Sequence, residues 1–170
     1  MTPSKDTVLC MSLAGRPGTF GVRFHNHLYV QLGLDFYYKA MTTADLPGAI
    51  GGIRALGIRG CGVSMPFKEG SIALVDELDP SVAAIDSLNT IVNDAGRLKA
   101  YNTDYIAVRQ LIDEHGLDPR LALVLRGSGG MAKAVGDRGV GAGDRVALCF
   151  NNDLRFLETL FGTMRLGAVG

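Results

Sequence analysis

Apolar runs broken by glycine and proline set the rhythm of the chain. Val8 to Ala14 (VLCMSLA) is a compact apolar run that stops at Gly15-Arg16-Pro17-Gly18, which reads as a strand feeding a loop. From Gly21 the spacing turns helical: Phe24, Leu28, Gln31 and Leu32 share one side, and Gly33 fits the helix end. Asp35 to Met41 reads as a second strand. Thr43 is placed to cap a helix from Asp45 to Leu56, in which Leu46, Ile50, Ile53 and Leu56 follow three- and four-residue spacing, closed by Gly57. Ile58 to Met65 reads as the third strand. Strands alternating with helices predict an α/β fold with a mostly parallel sheet covered on both faces, a three-layer αβα domain that takes its ligand at the carboxyl ends of its strands.

The third strand runs into Ser64-Met65-Pro66-Phe67-Lys68-Glu69. Pro66 suits the first turn of a helix, which places Lys68 in that turn. A helix start and partial burial both disfavour an ammonium there, so the expectation is a lysine able to trade protons. Taken alone, a lysine after Pro-x is more often a solvated surface residue. Further on, Leu88 to Val92, the turn Asn93-Asp94-Ala95-Gly96, and Arg97 to Tyr101 predict a hairpin that brings Asn89 near Asn102. Thr103 or Asp104 then opens a helix through about His115, with Ile106, Leu111 and Ile112 facing mostly inward and Gly116 closing it. A carboxylate at a helix start is normally a cap, and asparagines at strand ends are ordinary turn formers.

Composition narrows the partners. The 170 residues suffice for one good core, or one domain and part of another. Lysine plus arginine equals aspartate plus glutamate at 17 each, so no net field favours nucleic acid or an anionic membrane, and a small molecule is the default ligand. Hydrophobic residues make up 47%, which excludes a disordered chain. Cys10, Cys61 and Cys149 sit apart within apolar runs, without the close spacing of a zinc site or redox dithiol, and read as buried thiols of a reducing compartment. No metal is expected. With no basic and apolar leader and no apolar window of roughly 18 residues, the expectation is a soluble, cytoplasmic protein. Oligomeric state is not legible.

Three ordered segments, Ser64-Met65-Pro66-Phe67-Lys68, Asn89-Thr90 and Asn102-Thr103-Asp104, resemble the substrate domain of the shikimate dehydrogenase family. The resemblance covers roughly residues 7 to 135. It implies an NAD(P)-dependent oxidoreductase that interconverts an alcohol and a ketone on a shikimate or quinate-like cyclic hydroxy acid. It further implies that Lys68 and Asp104 face the reacting hydroxyl, with the lysine as the proton-transfer group, while Ser64, Asn89 and Asn102 hydrogen-bond ring hydroxyls. The carboxylate site departs from the family's Ser-x-Ser-Pro: aligning on His25-Asn26 puts Thr19 and Gly21 at the two serine positions, and Val22 replaces the proline. One hydroxyl is lost. This resembles the shikimate dehydrogenase-like branch and makes shikimate itself a less certain substrate. Arg16 and Arg23 lie nearby, though loop arginines are usually solvated, and His25 reads as a packing or hydrogen-bonding residue.

Leu121 to Leu125 (LALVL) reads as a strand, followed by Gly127-Ser128-Gly129-Gly130-Met131-Ala132, a dinucleotide fingerprint whose glycine turn would cradle the pyrophosphate of NADP or NAD. The helix behind it is cut short by Gly136, Gly139, Gly141 and Gly143. Residues 136 to 170 instead resemble an early piece of acyl-CoA synthetases and other adenylate-forming enzymes. The expected division is therefore a substrate-binding domain at 1–118, the first βα unit of a dinucleotide-binding domain at 119–135, an incomplete Rossmann-like unit, and a foreign-looking strand and helix at 136–170. Asp144 precedes its strand and is misplaced for a ribose ligand, and Asp153 is not assigned, so dinucleotide affinity is expected to be weak or absent. Three readings stay open: a dehydrogenase or its inactive remnant, a binding module without catalysis, and the start of an adenylate-forming ligase.

Overall fold

A computed structural model of the protein describes residues 2–114 and Gly116. Six strands form one sheet in the order β2-β1-β3-β5-β6-β4. They are β1 (Val8–Leu13), β2 (Phe36–Met41), β3 (Gly60–Val63), β4 (Glu77–Leu78), β5 (Thr90–Asp94) and β6 (Arg97–Tyr101). The helices are α1 (Phe20–Gln31), α2 (Leu46–Ala55), the single turns α3 (Phe67–Gly70) and α4 (Pro80–Ala83), and α5 (Thr103–Glu114). β1 pairs in parallel with β2 and β3, and β4 with β6, while β5 runs antiparallel to both its neighbours. The mixed α/β architecture with a largely parallel sheet is the expected one; the hairpin supplies the antiparallel part.

Strand alternation sorts the side chains onto two faces. Met11, Cys61, Ile91 and Ala100 lie side by side in register across β1, β3, β5 and β6, and with Leu13, Val63 and Leu98 they form the main core. Ile50 and Ile53 of α2, 2% and 0% exposed, close this face. The opposite face carries Cys10, Tyr38 and Gly60 in one row and Ser12, Ala40, Gly62 and Thr90 in the next. α1 covers the Tyr38 end of it, so around β1 and β2 the domain has the expected three layers. α1 does so with an unexpected side. Phe24, Leu28 and Leu32 are exposed; the helix meets β2 through His25, stacked on Tyr38 at 4.4 Å, and Tyr29, tilted against Phe36 at 5.4 Å. The periodicity located the helix but not its inward face, because aromatic and amide side chains make the contact.

Asn26 has a distinct task. Its Oδ1 accepts from the Tyr38 N–H at 2.8 Å and its Nδ2 donates to the Tyr38 carbonyl at 2.9 Å. β2 is an edge strand, and Asn26 occupies the backbone groups that would otherwise face outward at its centre.

Several local expectations shift. Asp45, not Thr43, caps α2: its Oδ1 accepts from Gly48 N–H, and Thr43 instead bonds to the Asp45 backbone. Leu56 and Ile106, expected inward, are exposed. β3 is shorter than expected, and Pro66, preceded by a cis peptide bond, flanks α3 rather than lying in its first turn. The hairpin turns on Ala95 and Gly96, both at positive φ, the geometry of a two-residue primed turn. Buried Asn93 fastens that hairpin to α2 by donating to the Ile53 carbonyl at 2.9 Å and accepting from Gly96 N–H at 2.8 Å. Cys10 and Cys61 are buried, as expected, while Cys149 lies outside the described residues. So do Gly127, Ser128, Gly129, Gly130, Met131 and Ala132, and with them the divisions at 119–135 and 136–170.

Candidate functional site

Backbone bonds at the carboxyl ends of β1, β3 and β6 knit one edge of the sheet together. Ser64 N–H donates to the Leu13 carbonyl at 2.8 Å, Val63 N–H to Asn89 at 2.7 Å, Asn89 N–H to Tyr101 at 3.0 Å and Gly15 N–H to Met65 at 2.9 Å. The segment after β3 is held by Phe67, whose ring packs on the core and whose carbonyl accepts from Ser71 N–H and from the fully buried Ser71 hydroxyl. Leu88 N–H donates to the Lys68 carbonyl at 3.3 Å, which ties the lysine directly to the segment that carries Asn89 into β5.

This frame brings Lys68 and Asp104 together. Lys68 Nζ lies 3.0 Å from Asp104 Oδ2, with the side chains 23% and 40% exposed. The pair is reachable from solvent and only partly screened by it. α3 is a single turn, so the charge facing the lysine is the aspartate rather than a helix dipole.

Asn89 and Asn102 sit close, as the hairpin implied, but they differ in what they offer. Asn89 is half-buried; its Oδ1 accepts from Thr103 N–H at 2.9 Å and its Nδ2 donates to the Thr103 hydroxyl at 2.9 Å. Asn102 is fully buried, with Nδ2 donating to the Ser87 carbonyl at 2.6 Å and Oδ1 accepting from Tyr105 N–H at 2.9 Å. It is the N-cap of α5, a role expected above for Asp104, and it presents nothing to the surface. Its neighbour Thr103 is exposed and stands beside Asn89. Sequence reasoning passed over Thr103, although an asparagine directly before a helix was the signal for a cap.

Ser64 is exposed at the end of β3, and Thr19 is exposed at the start of α1 with no side-chain capping bond. Gly21, the second residue of α1, faces the Tyr38 ring: a methyl group built on it would lie 3.7 Å from Tyr38 Cε1. Burial lowers the His25 imidazole below its usual value, in keeping with a ring stacked in place. Burial also raises the Tyr38 phenol and pushes the Cys61 thiol up to about 12. Among the described residues no group of three or more His, Cys, Asp or Glu side chains is placed to hold a metal ion, and no helix is long and apolar enough to cross a membrane.

Known proteins resemble this chain in sequence and in fold. A family model described as the shikimate dehydrogenase substrate binding domain matches residues 19–91. A shikimate dehydrogenase-like protein of Haemophilus influenzae is 61% identical over 132 residues, 78% of this chain and 49% of the relative. The solved structure of a shikimate 5-dehydrogenase-like protein is 51% identical with a TM-score of 0.77, covering 96% of this chain and 61% of that one. The shikimate 5-dehydrogenase of Listeria monocytogenes, solved in complex with shikimate and NAD, is 27% identical with a TM-score of 0.70, covering 98% of this chain and 60% of that one. The chain spans about half the length of the curated relatives it matches. Over residues 19–91 the chain carries the substrate-binding domain of the shikimate dehydrogenase family.

Proposed function

We infer that the described domain is the substrate-binding part of a shikimate dehydrogenase-like oxidoreductase, with a shikimate or quinate-like cyclic hydroxy acid as its ligand. The observation that carries this reading is the pairing of Lys68 with Asp104 at 3.0 Å, beside Ser64, Asn89 and Thr103 on one sheet edge. A secondary alcohol on the ring fits between an amine and a carboxylate: Asp104 accepts its hydrogen bond, and Lys68 takes the proton as the alcohol becomes a ketone. Asn89, Thr103 and Ser64 supply the fixed donors and acceptors that ring hydroxyls require, with Thr19 and the Gly21 turn on the carboxylate side. NAD or NADP, when bound, accepts the hydride that leaves with that proton. The residues read as cofactor-binding, 127–132, lie outside the described residues, and we assign no step to them.

Calorimetry with the 170-residue chain tests this directly. Shikimate or quinate should bind, and Lys68→Ala should weaken that binding at least several-fold while changing the unfolding free energy by no more than about 1 kcal/mol, the usual worth of a partly exposed ion pair. Binding that survives the substitution intact removes Lys68 from the site. NADP titrated separately distinguishes the enzyme from the alternative of a substrate-binding module: that module would take the acid and not the dinucleotide.

A further inference from the structure

Thr90, the first residue of β5, carries a hydroxyl that nothing above uses. It is half-buried on the sheet face away from the main core, between Gly62 of β3 and Tyr101 of β6. Its Oγ1 donates to Asn89 Oδ1 at 3.0 Å. The same oxygen accepts from Thr103 N–H at 2.9 Å, and the Thr103 hydroxyl stands 3.1 Å from it and 2.9 Å from Asn89 Nδ2. Three donors therefore lie within reach of one amide oxygen, which has two lone pairs. Thr103 opens α5, so its N–H has no partner within the helix and holds one of those places. The two hydroxyls compete for the other. Asn89 has no freedom to relieve this by moving its backbone, because Val63 N–H donates to its carbonyl at 2.7 Å and its own N–H donates to the Tyr101 carbonyl at 3.0 Å.

We propose that Thr90 is a positioning residue that turns the hydrogen of the exposed Thr103 hydroxyl toward the ring acid. This rests on the reading of the site given above. With Thr90 filling the second lone pair of Asn89 Oδ1, the Thr103 hydroxyl accepts from Asn89 Nδ2 and keeps its own hydrogen to donate. That donor directly precedes Asp104 in the chain and stands beside the amide of Asn89. Without the Thr90 hydroxyl, the Thr103 hydrogen turns inward to Asn89 Oδ1, where it is satisfied within the protein and lost to the ligand. Thr90 thus acts through its neighbours by occupying an acceptor, while Lys68 and Asp104 remain with the alcohol.

Thr90→Val keeps the branched shape that suits a strand and removes only the hydroxyl. Calorimetric titration of shikimate into the 170-residue chain should then show affinity lower by about three- to tenfold, the worth of one hydrogen bond. Thr90→Ser retains the hydroxyl and should bind as the unsubstituted chain does. The distinguishing measurement is a double-mutant cycle with Thr103→Val. In the chain without the Thr103 hydroxyl, Thr90→Val should cost no further affinity, because the hydrogen it directs is already gone. A role of Thr90 confined to supporting the strand would give the same loss in both backgrounds. Unchanged affinity in Thr90→Val, a loss shared by Thr90→Ser, or additive losses in the cycle overturn the assignment. Failure of the unsubstituted chain to bind any cyclic hydroxy acid at millimolar concentration instead sinks the reading of the site, and the proposal with it.

Discussion

Replacing Asn102 by alanine removes the acceptor from Tyr105 N–H and the donor from the Ser87 carbonyl in a place water does not reach. Each buried group left without a partner costs about 1–3 kcal/mol, so Asn102→Ala should lower the unfolding free energy by roughly 2–3 kcal/mol in urea. Asn89→Ala should cost about 1 kcal/mol, because its partner Thr103 is exposed and water can replace the lost bonds. Its effect should fall on binding of the ring acid. Equal losses of stability would contradict this division. In the sequence the two asparagines look alike, each followed by threonine at the edge of an apolar segment. The Lys68 and Asp104 pairing was legible because the two motifs recur in a fixed order, whereas the choice between Asn102 and Thr103 depends on which way one residue points at a helix start.

Secondary structure was readable where apolar spacing alone decides it, as in β1, β2, α2 and the hairpin. It was not readable for β4 and α4. A two-residue strand exists because Asp76 N–H and Asp79 N–H donate to the Leu98 and Ala100 carbonyls of β6, and that pairing joins segments distant in the chain. α1 shows the same limit from the other direction: its most regular apolar side is outward, and its inward side is polar and aromatic. Asn26 is the element's point of attachment, and its bonds to Tyr38 also blunt the sheet edge. Asn26→Ala should therefore do two things at once. It should cost about 1–2 kcal/mol in urea denaturation, and it should expose the outward N–H and carbonyl of β2 to another chain. Sedimentation of this variant at increasing concentration should show more self-association than the unsubstituted chain. A loss of stability without any gain in association would mean that Asn26 anchors α1 but does not guard the edge.

Across the whole domain, the site is braced by acidic groups that never touch it. Asp76 bridges Arg54 of α2 and the Leu98 N–H of β6, and the Arg54 bond holds its carboxyl below the usual value. Glu77 is lowered by Lys99 and Arg97. Asp79 is lowered by the Ser81 hydroxyl, and that same hydroxyl accepts from Asn102 N–H, so the start of α5 and Asp104 rest on it. All three carboxyls are lowered in the folded chain, so their contribution is complete above the ordinary values of 3.8 for aspartate and 4.5 for glutamate. It is lost as pH falls through the depressed folded values, because the unfolded chain takes up protons first. Unfolding free energy measured in urea should begin to fall gently below about pH 6.5, where the unfolded chain protonates His25 and the buried ring resists, and decline more steeply below about pH 4 as the carboxyls follow. Asp79→Asn removes one titrating brace and should make that decline shallower. It should also weaken ring-acid binding at neutral pH, since the support passes from Asp79 through Ser81 to the backbone that presents Asp104. A variant with the same acid slope and unchanged binding would show that this chain of bonds does not carry the site.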